Sequence, residues 1–96
     1  MTTGYTEFVP IGLKAVFTNV DLEAQQITID ILQQGNLIVT LRIDLRLNTM
    51  KKVGSFDAIS HLQDYGIDEH FIISRVKEEL NSIVENNNSK PNDFWI

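Results

Sequence analysis

The clearest pattern along the chain is strict alternation. From Leu37 to Leu47, the apolar residues Leu37, Val39, Leu41, Ile43, Leu45 and Leu47 share one side, and Ile38, Thr40, Arg42, Asp44 and Arg46 share the other. No helix presents apolar residues at a sustained spacing of two, so this segment predicts a half-buried strand. Residues 25–33 repeat the pattern, with Ile27, Ile29 and Ile31 opposite Thr28, Asp30 and Leu32. Residues 8–18 do so less cleanly: Val9, Ile11, Leu13, Ala15 and Phe17 alternate with Lys14, Val16 and Thr18, while Pro10 and Gly12 suit an edge or a bulge. Asn19–Val20–Asp21 has turn chemistry.

Register follows from keeping apolar faces together. A two-residue loop at Gly35–Asn36 would set Ile31 against Thr40 and Ile29 against Arg42, mixing core and solvent faces. Pairing Ile31 with Leu41, Ile29 with Ile43 and Ile27 with Leu45 avoids this and sets Asp30 opposite Arg42. A loop of three or more residues is therefore expected, with Gly35 or Asn36 at positive φ; a tighter turn needs a bulge.

A sheet with one apolar face needs a cover on that face. Beyond the connection 48–55 the period changes to that of a helix. Ser55 is a candidate N-cap for a first helix over 56–65, with Ala58, Ile59, Leu62 and Tyr65 as its apolar positions. Gly66 fits the left-handed closing residue, and Ile67 the residue that folds back onto Leu62. Asp68 then caps a second helix, about 69–86, with Glu69 in its first turn. Ile67 can staple onto Ile72. The buried stripe is expected at Phe71, Ile72, Val76, Leu80, Ile83 and Val84. The expectation is thus an α+β domain: a three-stranded antiparallel meander, with room for a short extra N-terminal strand, followed by two helices on one sheet face. Residues 1–86 form this domain, and residues 87–96 a polar linker and an apolar C-terminal tail.

Composition narrows the chemistry. The chain has 96 residues and no cysteine, which excludes disulfides, thiolate metal sites and thiol nucleophiles. The start MTTGYTEFVP lacks the basic and apolar regions of a secretory signal, and no apolar run is long enough to span a bilayer. A cytoplasmic protein without membrane association is the expectation. The net charge of −5 is uneven. Glu7, Asp21, Glu23, Asp30 and Asp44 are matched by Lys14, Arg42, Arg46, Lys51 and Lys52, whereas Asp57, Asp64, Asp68, Glu69, Glu78, Glu79 and Glu85 face only Arg75 and Lys77. The helical half is therefore anionic and repels phosphate backbones.

Candidate chemistry is sparse. Asp57, His61 and Asp64 would share one face of an α-helix and could hold a metal or exchange protons, but ordinary solvated helix faces look the same. His70 lies in the first turn of the next helix. No nucleophile elbow or phosphate-binding glycine loop is present, so no catalytic residue, metal site or cofactor is expected. Arg42, Arg46, Lys51 and Lys52 form the one basic cluster. They would serve single-stranded nucleic acid only beside stacking aromatics, which the outer strand positions lack. The tail residues Phe94, Trp95 and Ile96 resemble a docking segment, or cover the seam between helix and sheet. The favoured expectation is a small acidic, non-catalytic interaction module, homodimeric, that regulates or inhibits a basic or nucleic-acid-binding partner. Its contacts would come from Asp68, Glu69, Glu78, Glu79 and the tail. Nucleic-acid binding through the basic cluster is the alternative.

Overall fold

A computed structural model describes residues 12–96. The expected strand contributions of Val9 and Ile11, and any further N-terminal strand, lie outside the described residues. Five strands form one antiparallel sheet: β1 (Leu13–Asp21), β2 (Gln26–Gln33), β3 (Asn36–Asp44), β4 (Thr49–Gly54) and β5 (Phe94–Trp95), in the order β4-β3-β2-β1-β5. A 3-10 helix (Phe56–Tyr65) and α1 (Glu69–Glu85) lie between β4 and β5. The expected three-stranded meander with two α-helices is therefore corrected: among the described residues the sheet has five strands, and there is one α-helix.

Both additional strands come from segments without a period-two signal. β4 reads Thr-Met-Lys-Lys-Val-Gly, which does not alternate, and exists because β3 offers it a free edge. Its two lysines blunt the exposed edge it creates. β5 is two residues long and pairs with β1, with Lys14 opposite Trp95 and Ala15 opposite Phe94. The expected turn at residues 19–21 is strand instead. A bulge after Phe17 shifts the ladder, and the turn falls at residues 22–25, where the Asp21 carboxylate accepts the Ala24 N–H at 3.0 Å.

The β2–β3 hairpin keeps its faces together by the other route. Its turn is Gln34–Gly35, with φ of 49° and 84°, and a bulge after Ile31 restores the match between faces. Ile31 therefore meets Val39, Ile29 meets Leu41 and Ile27 meets Ile43. Asp30 lies opposite Thr40, whose hydroxyl donates to it at 2.8 Å, and not opposite Arg42.

The core comprises Leu13, Ala15, Ile27, Ile29, Ile31, Val39, Leu41 and Ile43 from one sheet face, and Phe56, Ile59, Leu62, Ile67, Ile72, Val76, Leu80 and Ile83 from the helical layer. No polar side chain is buried among the described residues. The caps fall where the sequence places them. The Ser55 hydroxyl accepts the Asp57 N–H, and the Asp68 carboxylate accepts the Phe71 N–H at 2.9 Å. Gly66 takes φ 77°; its N–H donates to Gln63 O and that of Ile67 to Leu62 O, a complete Schellman ending.

The first helix is 3-10 and not α. Its buried residues Phe56, Ile59 and Leu62 recur every third position, the spacing of a helix with about three residues per turn. Ala58 and Tyr65, expected on its apolar face, are exposed. In α1 the buried stripe narrows to Ile72, Val76, Leu80 and Ile83. Phe71 and Val84 stand beside it and are exposed. Val84 lines an open hollow of about 310 Å³ with Leu22, Gln25, Leu45 and Asn87, beside the ends of the hairpins.

Candidate functional site: the open face of the sheet

The helical layer covers one sheet face, and strand register defines what the other presents. Cross-strand partners line up in rows. Trp95, Lys14, Leu32 and Leu37 form the first, and Val16, Asp30, Thr40 and Val53 the second. Thr28, Arg42 and Lys51 form the third; Gln26, Asp44 and Thr49 the fourth. The first row is mainly apolar, the second mixes Val16 and Val53 with Asp30 and Thr40, and the other two are polar. At the apolar end, Trp95 is 65% exposed, Leu37 59% and Val53 47%, beside half-buried Val16, Leu32 and Ile38. The Lys14 ammonium sits 5.2 Å from the centre of the Trp95 ring.

The polar end carries a like-charge pair. Arg42 and Lys51 are direct cross-strand partners, an arrangement that costs stability. Neither forms an ion pair among the described residues. They flank a hollow of about 260 Å³ with Gln26, Thr28, Asp44 and Thr49. Asp44 lies close by, but one of its oxygens accepts the N–H groups of Arg46 and Leu47 at 3.0 and 3.1 Å.

The fold thus divides the basic cluster. Arg42 and Lys51 meet on the open face, Arg46 sits in the β3–β4 turn, and Lys52 points to the helical side. There Lys52 pairs with Glu69 and lies 5.6 Å from the Phe56 ring centre. The acidic candidates are likewise engaged within the chain. Asp68 caps α1, Glu69 binds Lys52, and Arg75 reaches Glu79 at 3.1 Å and Glu78 at 3.8 Å.

The tail candidates are seated on the chain itself. Phe94 faces the helical side beside Phe17, with ring centres 5.9 Å apart, and the Arg75 guanidinium lies 5.0 Å from it. The Ile96 N–H donates to Leu13 O at 2.9 Å, and the Asp93 carboxylate accepts the Phe17 N–H at 3.2 Å. Trp95 emerges on the opposite face, the one aromatic there among the described residues. The sequence held this signal only indirectly: two adjacent aromatics on a strand must point to opposite faces.

Asp57, His61 and Asp64 are all exposed, and no metal-binding group of three His, Cys, Asp or Glu side chains occurs among the described residues. The segment is 3-10 and kinked at Ile59, where φ is −111° and ψ 15°, so the α-helical spacing that would align Asp57, His61 and Asp64 does not hold. His70 is exposed. A hollow of about 240 Å³ between β4, the 3-10 helix and the start of α1 is lined by Lys52, Ser55, Asp57, Ser60, Asp68 and Glu69. Ser55, Asp68, Lys52 and Glu69 already serve as caps or as an ion pair there. No helix of the described residues is long and apolar enough to cross a membrane. No protein-family model matches the chain, and no match was found among curated proteins or solved structures.

Proposed function

We propose that the chain is a non-catalytic interaction module that pairs with a second copy of itself through the open sheet face. The observation that carries this reading is the apolar end of that face, where Trp95, Leu37 and Val53 are all well exposed. An antiparallel sheet covered on one side normally turns polar residues to solvent on the other. Here Val16, Leu32, Leu37, Val53 and Trp95 gather at one end of that face, and association would remove them from water. Two copies meeting about a two-fold axis would set apolar ends against each other while the Arg42–Lys51 ends stay apart. The acidic helical layer is the weaker candidate for partner contacts, because Asp68 caps α1, Glu69 pairs with Lys52 and Glu79 with Arg75 within the chain, while Glu78 only approaches Arg75 at 3.8 Å. The test is sedimentation equilibrium on the wild type and on Leu37→Glu/Val53→Glu. The expected result is a dimer whose dissociation constant rises at least tenfold in the variant, with an unchanged circular dichroism spectrum. A wild type that is monomeric at high micromolar concentration rejects the reading.

A second reading, single-stranded nucleic-acid binding, is favoured by one feature: Trp95 shares the open face with Lys14, Arg42 and Lys51. The distance from Trp95 to the Arg42–Lys51 pair is about 20 Å, from strand spacing and rise per residue, a span that several stacked nucleotides cover. Retention of an oligothymidylate at low salt, quenching of Trp95 emission, and loss of both in Arg42→Ala/Lys51→Ala support it. No retention at low ionic strength removes it, because electrostatic binding is strongest there.

A further inference from the structure

The tail makes more contacts of specific kind than a two-residue strand needs. Asp93 accepts the Phe17 N–H, a β1 group that points away from β2. Phe94 fills a slot whose walls are the Phe17 ring and the Arg75 guanidinium. Trp95 lies against the Lys14 ammonium, and Ile96 donates to Leu13 O while packing, half-buried, on the core. Each of four consecutive positions thus has its own receptor group, and main-chain hydrogen bonds hold the strand direction. This is the architecture of strand addition to a sheet edge, in which backbone bonds give affinity and alternate pockets give specificity.

We propose that the outer edge of β1 is a docking groove for an extended acid–Phe–aromatic–aliphatic segment of a partner protein, and that residues 93–96 occupy it as an internal stand-in. Several features make the stand-in exchangeable. Its ladder is only two residue pairs, Trp95 is 65% exposed, and the tether 89–92 is exposed apart from half-buried Pro91. The tether supplies an effective concentration on the order of millimolar, so the tail holds the groove against weak ligands and yields to a better-matched or multivalent one. Displacement also lifts Trp95 off the open face, so the groove and that face share one residue. The inference does not depend on self-association, since the groove lies on the edge and not the face.

The experiment uses the full chain carrying Phe94→Ala/Trp95→Ala. The chain has a single tryptophan, so this variant has none, and a peptide of sequence NDFWI becomes the only tryptophan fluorophore in the sample. Saturable binding, read as a rise in peptide anisotropy, is expected. It should weaken at least tenfold when the peptide phenylalanine becomes alanine, and likewise in the same chain with Arg75→Ala added. Wild-type chain, with its own tail and Trp95 in place, should bind at least tenfold more weakly than the tail variant when both are compared by isothermal titration calorimetry. No saturable binding to the folded tail variant at millimolar peptide overturns the proposal, as does equal binding of the alanine peptide. If the tail variant fails to fold, the wild-type chain decides. Isotope-labelled wild type titrated with unlabelled peptide should show its Trp95 indole resonance moving progressively as the tail is displaced. A resonance that stays fixed at several-fold millimolar peptide overturns the proposal.

Discussion

At Gly54 the β4 backbone leaves no room for a Cβ beside β3, and replacing it with alanine gives the sharpest stability prediction. Its φ is +110°, a backbone conformation that L side chains rarely adopt, and a Cβ placed there would lie 2.6 Å from Ile38 O and 3.1 Å from Val39 Cα. Both atoms are backbone, so no side chain can swing aside; the end of β4 must separate from β3 by several tenths of an ångström. The conformational strain alone is on the order of 1–3 kcal/mol. Separation also weakens the Val39–Gly54 pairing and the Ser55 N–H bond to Ile38 O, already 3.4 Å long. Together these amount to about 3 kcal/mol. With a urea m-value of about 1.5 kcal/mol/M for a small domain, the midpoint should fall by about 2 M. Gly66→Ala is the control. Gly66 also has positive φ, but nothing lies within 4 Å of its added Cβ, so it should lose only about 1 kcal/mol. Equilibrium urea unfolding followed by circular dichroism makes the comparison. Equal shifts for the two variants, or a Gly54→Ala shift below about 0.5 M, would mean that Gly54 does not lie against the β3 backbone at Ile38 and Val39.

Ile72→Ala, at a fully buried position in α1, should cost about 2–5 kcal/mol in the same unfolding assay. Ser55→Ala and Asp68→Ala each remove an N-cap and should cost about 1 kcal/mol; their effects should add in the double variant if the two helices are capped independently. Lys51→Glu replaces a like-charge cross-strand pair with an attractive one and should stabilise by a few tenths of a kcal/mol, a gain that vanishes in high salt. A destabilised Lys51→Glu at low salt would show that Arg42 and Lys51 do not face each other.

Sequence patterning located the elements that bury a full face or carry specific end chemistry. Alternation in 37–47 and 25–33 marks β3 and β2, and Ser55, Gly66, Ile67 and Asp68 delimit two helices with the expected hydrogen bonds. What escaped has physical causes. Strand β4 is created by the β3 edge, not by its own periodicity, so Lys51 and Lys52 looked like one basic cluster when they point to opposite faces. The hairpin resolved the clash of faces with a bulge rather than a longer loop, and both choices satisfy the same pattern. The three-residue spacing of Phe56, Ile59 and Leu62 was visible, but Ala58 and Tyr65 suggested an α-helical stripe. Strand β5 is too short for any periodicity, so the placement of Trp95 on the open face depended on pairing between residues about 80 positions apart, which local pattern does not encode.

The claim on which the functional reading turns is that two copies meet across the sheet face left open by the helices. Isotope-filtered NOE spectra of a mixed labelled and unlabelled sample test it directly. Intermolecular contacts should involve the methyl groups of Leu32, Leu37 and Val53 and the Trp95 indole. A sample with no intermolecular contacts, or with contacts confined to the outer side of α1, would contradict it.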